Sequence, residues 1–96
     1  MMTKYEIMFI VKTTMEDDEI KKTAETVKGL ISGDSKVIEF KDLGKKKLAY
    51  PINKEVGGNY FLMIVEASHD VISEFDRKIK INENIIRHLI LKLDEE

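Results

Sequence analysis

The chain has 96 residues, no cysteine, no tryptophan and a formal net charge of −2. That length makes a single domain, expected over residues 1–96, which buries about 65% of its unfolded surface and needs no covalent staples. The missing cysteines exclude a disulfide framework and a thiolate metal site, no apolar run approaches the ~20 residues of a membrane span, and Met1 to Glu6 lacks a signal peptide's apolar stretch and cleavage site, so a cytoplasmic protein is expected.

Tyr5, Ile7, Phe9 and Val11 alternate with Glu6, Met8, Ile10 and Lys12, the period of a strand with one fully apolar face and one half-apolar face. Thr14 is the expected cap of a first helix, with Glu16, Asp17 and Asp18 complementing its positive start. Ile20, Ala24, Val27 and Ile31 recur at helical spacing and Gly33 supplies a stop, so the helix is expected over Met15 to Ser32. Lys36 to Asp42 and Lys46 to Ile52 read as one strand interrupted by a bulge or bend at Gly44. Pro51 cannot donate to a ladder, which sends this strand to a sheet edge. Asn53 to Asn59, with Gly57 and Gly58, is the expected hairpin turn. Tyr60 to Ala67 is apolar on both faces, the mark of a central strand. Ser68 and Asp70 open a second helix whose stripe is Val71 or Ile72, Phe75 and Ile79, ending near Lys80. Ile85 to Leu93 is the last strand.

The order β-α-β-β-α-β predicts a ferredoxin-like α+β fold, a four-stranded antiparallel sheet with both helices on one face. Two helices cover only one side of a sheet. If Tyr5, Ile7, Phe9, Val11, Phe61, Met63 and Val65 face the helices, then Met8, Ile10, Tyr60, Leu62 and Ile64 lie on the open side. That contiguous apolar patch is larger than a monomer ordinarily exposes, which predicts a protein-partner surface.

Charge is clustered although its sum is small. Lys36 to Lys54 holds six lysines against Glu39 and Asp42, a surplus of +4, and Arg77 to Lys92 holds five cations against Glu83, again +4. Between them, Glu55 to Asp76 carries −5 and no lysine or arginine. Such segregation sets local potential even near overall neutrality. Lysines at 45, 46 and 47 on an edge strand also deter edge-to-edge pairing, but that role explains neither Tyr50 and Lys54 on the same element nor the second basic cluster.

Catalytic and metal chemistry find little support. His69 and His88 have no ligand or nucleophile at useful spacing. The acidic run Glu16 to Glu19 lacks the loop glycine and alternating carboxylates of a calcium site. No phosphate-cradling glycine motif occurs. No enzyme, metal or cofactor is expected. Gly58 to Met63 does not fit the aromatic signature of an RNA recognition motif, and the first turn, Lys12 to Met15, has no glycine or arginine for an anion-binding loop.

The string Gly44-Lys45-Lys46-Lys47-Leu48-Ala49-Tyr50-Pro51-Ile52-Asn53 places three lysines beside an aromatic residue and a rigid proline. It resembles the signature of the family of protein six of the bacterial small ribosomal subunit. Lys4-Tyr5-Glu6, Tyr60 to Ala67 and Lys80 to Arg87 extend the resemblance, in order, over nearly the whole chain. The resemblance implies a non-enzymatic structural protein of the ribosome, in the cytoplasm, that binds the central domain of small-subunit ribosomal RNA jointly with small-subunit protein eighteen. It implies electrostatic, sugar-phosphate and shape recognition with few base contacts. The residues expected to face RNA are Lys4, Lys46, Lys47, Lys54, Lys80, Arg87 and Lys92. Thr3 stands where the family is often basic and Ile86 where it can be, which implies fewer phosphate contacts here. An alternative from another class is a homo-oligomeric ferredoxin-like domain that packs sheet to sheet and binds a small effector, which the open apolar face would also allow.

Overall fold

A computed structural model describes residues 3–31, 35–52 and 55–93, with the backbone alone at 48–52 and 55–56. The elements follow in the expected order: β1 (Thr3–Lys12), α1 (Asp17–Lys28), β2 (Lys36–Ile52), β3 (Glu55–Ala67), α2 (His69–Lys80) and β4 (Ile85–Lys92). The strands form one antiparallel sheet in the order β2-β3-β1-β4. The proline-bearing strand is an edge and the doubly apolar β3 is central, as their compositions require.

One face of the sheet packs under both helices. Ile7, Phe9 and Val11 of β1 and Met63 and Val65 of β3 are sealed from solvent by Ile20, Ala24 and Val27 of α1 and Ile72, Phe75 and Ile79 of α2. Phe9 stacks on Phe61 with ring centroids 5.2 Å apart, and Phe40 tilts against both. The offset and tilted geometries suit the ring quadrupoles and add to the area they bury.

The helix ends show which local signals prevail. Ser68 caps α2 as expected, its Oγ accepting from the Val71 amide at 3.3 Å. Thr14 does not cap α1. The cap position is Glu16, whose side chain makes no capping bond, and its carbonyl accepts from Glu19 and Ile20. Asp17, Asp18 and Glu19 fill the first turn, where their charge meets the positive helix end. α1 also stops earlier than its periodicity predicts. Gly29 ends it with its amide on the Glu25 carbonyl at 2.9 Å, and Leu30 closes a tighter turn onto Val27. The expected stop, Gly33, lies outside the described residues.

β2 and β3 form a long hairpin of 17 and 13 residues. Gly44 carries the expected bulge: its φ is +87°, a region costly for residues with a Cβ, and the register shifts between Asp42 and Gly44. Asp42 Oδ1 stitches the bulge by accepting from the Gly44 amide and from Asn59 Nδ2, both at 2.8 Å. The expected turn over Asn53 to Asn59 is much shorter, because Ile52 already pairs with Glu55. Gly57 and Gly58 are strand residues opposite Lys47 and Lys46. Gly58 is required by close approach rather than by a turn, since a Cβ there would collide with Ile10 Cγ2.

Candidate nucleic-acid and partner interface

Residues directly opposite in an antiparallel ladder project to the same face, so the pairing lays out the open face row by row. Lys36, Glu66 and Lys4 form the first row. Glu39, Ile64, Glu6 and Leu91 form the second, and Lys41, Leu62, Met8 and Leu89 the third. Gly44, Tyr60, Ile10 and Arg87 follow, and Lys46, Gly58 and Lys12 close the face. The apolar residues therefore cluster in the middle rows, and the last two rows carry cations without a single acid.

The predicted patch is present, with one change in its membership. Met8, Tyr60, Leu62 and Ile64 are half-buried on the open side. Ile10 is on the same side but only 7% exposed, because it and Ile86 fill the space above Gly58 and Arg87 lies alongside. It supports the surface from beneath. Leu89 and Leu91 of β4, 50% and 46% exposed, take its place and widen the patch to the far edge. Arg87, His88, Leu89, Met8 and Ile10 line a shallow cleft of ≈ 180 Å³ there.

The expected RNA-facing residues fall into separate groups. Lys46 and Arg87 come together at the last two rows of the open face. Lys46 Nζ lies 5.6 Å from the centroid of the Tyr60 ring, a cation–π contact that holds the ammonium over the face. Lys4 is on the same face at its opposite end, beside Glu66. Lys47, opposite Gly57, projects to the reverse side of the hairpin. Lys92, opposite Tyr5, stands on the helix side of β4. Lys80 is on α2 with its Nζ 3.0 Å from Asp76. Lys54 lies outside the described residues.

Lys12 joins the open-face group although its sequence context gives no reason to choose it. It ends β1 and sits across Gly58 from Lys46, two strand spacings or about 10 Å away. Strand pairing is the signal that finds it: once β1 and β2 are both registered on β3, the two lysines share a row. Neither they nor Arg87 forms an ion pair among the described residues.

Several other cations are already engaged. Lys45 bonds Asp17 at 2.6 Å, Lys41 bonds Glu39 at 2.8 Å, and Arg77 bonds Glu74 at 2.8 Å. The Lys45 bond holds the Asp17 carboxyl below its usual range, and the Arg77 bond does the same for Glu74. Asp76 receives His88 Nε2 at 2.7 Å and Lys80 on its other oxygen, tying β4 to α2. The His88 hydrogen bond, then the Lys80 one, lowers its pKa. His88 is thus a half-buried structural tie between layers. Among the described residues there is no group of three metal-ligating side chains, and no helix is long and apolar enough to cross a membrane.

A family model described as ribosomal protein S6 matches residues 4–92. The chain is 44% identical over 92 residues to the small ribosomal subunit protein bS6 of Phytoplasma mali, covering 95% of this chain and 98% of that one. It is 46% identical over 96 residues to the bS6 protein of Halalkalibacterium halodurans, covering 99% and 100%. Among solved structures, the crystal structure of 30S ribosomal protein S6 from Thermotoga maritima superposes with a TM-score of 0.90 at 24% identity, over 97% of this chain and 89% of that one. An uncharacterised protein from the same organism gives a TM-score of 0.64 at 13% identity, over 98% and 100%, and shares the fold.

Proposed function

The chain belongs to the ribosomal protein S6 family, and from that premise we propose that it binds the central domain of small-subunit ribosomal RNA together with small-subunit protein eighteen. It is a structural constituent of the small ribosomal subunit, in the cytoplasm within the ribosome, and not an enzyme.

The observation that supports RNA binding is the acid-free end of the open face, where Lys46 lies over Tyr60, Lys12 shares the row of Lys46, and Arg87 stands across Ile10 from the ring. Unpaired cations at such spacing release counterions when they meet phosphates, and the ring offers a flat face or a hydroxyl to a sugar or base. Lys47 reaches RNA from the reverse side of the hairpin, and Lys54 belongs to the same basic cluster of the sequence. Lys4 serves RNA at the opposite end of the face, and Lys80 and Lys92 serve RNA that passes round the β4 edge. With a net charge of −2 the chain binds RNA weakly by itself. A basic partner seated on Met8, Leu62, Ile64, Leu89 and Leu91, with Tyr60 and Ile10 at its margin, supplies the remaining affinity through shared binding.

Titration of the purified protein against a central-domain RNA fragment, with and without protein eighteen, at two salt concentrations, tests this. Tight, salt-sensitive binding that requires the partner is expected. Failure to bind under either condition would overturn the reading, and a stable homodimer with a small bound effector would put the alternative in its place.

A further inference from the structure

Two carboxylates of the open face have no ion-pair partner among the described residues, Glu66, which stands between Lys36 and Lys4 in its row, and Glu6, whose row neighbours are apolar. Glu6 is half-buried, stands between Ile64 and Leu91 in its row, and along the same face of the strand has Met8 on one side and on the other the exposed Lys4, which is not bonded to it. Glu39, across Ile64 from it, is already bonded to Lys41. The acids of this face, Glu66, Glu39 and Glu6, all fall in the first two rows, where Lys36 and Lys4 leave a net charge of −1, whereas the three rows beyond carry Lys41, Arg87, Lys46 and Lys12 and no acid. The face is therefore polarised along the strands.

Covering Met8, Ile64 and Leu91 also desolvates the carboxylate beside them. A half-buried carboxylate with no bonded partner becomes unfavourable when it is covered, which favours a covering molecule that brings a donor to it. A nucleic-acid backbone would bring the wrong sign. We infer that Glu6 receives a lysine or arginine side chain from a basic partner protein, one whose apolar residues on either side of that cation cover Ile64 and Leu91 and, in the next row, Met8. The inference rests on the reading of the open face as the partner's seat. It adds the residue that fixes the partner's register: a cation flanked by apolar side chains fits here in one place, and a purely apolar segment is rejected.

The competing role for Glu6 is to keep an apolar sheet face soluble, and the two roles predict opposite signs. The experiment is calorimetric titration of purified small-subunit protein eighteen into the wild-type chain, Glu6→Gln, Glu6→Lys and Leu62→Asp, each at two salt concentrations, with thermal melts to show that every variant folds. Pairing predicts that Glu6→Gln weakens binding by ~10-fold or more and flattens its salt dependence, with Glu6→Lys worse. Unchanged or tighter binding by Glu6→Gln, with Leu62→Asp still weakened, would overturn the role of Glu6 and leave the seat standing. Absence of binding by the wild-type chain would overturn both.

Discussion

The two faces of this sheet are built from the same strands by the same alternation, yet they end in opposite conditions. On β3, Phe61, Met63 and Val65 are sealed beneath the helices, while Tyr60, Leu62 and Ile64, interleaved with them, are only half-covered. Composition does not separate the two sets. What separates them is that both crossovers place their helices on one side, so only one apolar face has a partner within the chain. Apolar residues on the closed face are there for folding. Those on the open face contribute less to folding than their hydrophobicity suggests, in keeping with the partner surface proposed for them.

The largest test of that contrast is truncation on either side of β1 and β4. Phe9→Ala removes a ring that stacks on Phe61 at full burial and should lower unfolding free energy by about 3–5 kcal/mol in a urea titration. Leu89→Ala, on the open face, should change it by within about 0.5 kcal/mol. Similar losses for both would mean that the open side is covered by the chain itself.

Charge sharpens the comparison further. Replacing both Lys12 and Lys46 by Gln should leave stability nearly unchanged and reduce the slope of log affinity for RNA against log salt by about one per lysine. An unchanged slope would assign those lysines to guarding the sheet. A modest, pH-dependent effect lies on the closed side. Asp76 has a depressed folded pKa, so its bonds to His88 and Lys80 stabilise the fold at pH values above its ordinary 3.8 and are lost as pH falls through the lowered value. Asp76→Asn should therefore lower stability at neutral pH by less than about 1 kcal/mol, because the carboxylate side chain is 37% exposed. The gap between variant and wild type should close as the pH is taken below about 4.

Local chemistry made much of this molecule legible. Alternation located β1 and β3, Pro51 assigned β2 to an edge, Gly44 marked the bulge, and Ser68 marked the start of α2. The misplaced features share a cause: each depended on a contact remote in sequence or on competition between two local signals. Thr14 is a good cap residue, but the acids from Asp17 onward fit the first turn better and move the start past it. Gly57 and Gly58 look like a turn, and Gly58 is instead a strand residue because Ile10 needs the space. Ile10 looks exposed by period, and Ile86, brought across by β4, helps to cover it. The charged surface was legible as two clusters, but not as a polarised face. Lys45 is matched by Asp17, a carboxylate 28 residues away that pattern alone does not pair with it, and Lys12 acquires its neighbours only through strand register.

The most direct test of the two-face account is co-binding by Leu62→Asp. Leu62 is central on the open side, between Lys41 and Met8 in its row. The account predicts a cooperative unfolding transition close to that of the wild type, together with a loss of ~10-fold or more in RNA affinity measured in the presence of protein eighteen. A folded Leu62→Asp protein that binds RNA and protein eighteen as tightly as the wild type would contradict it.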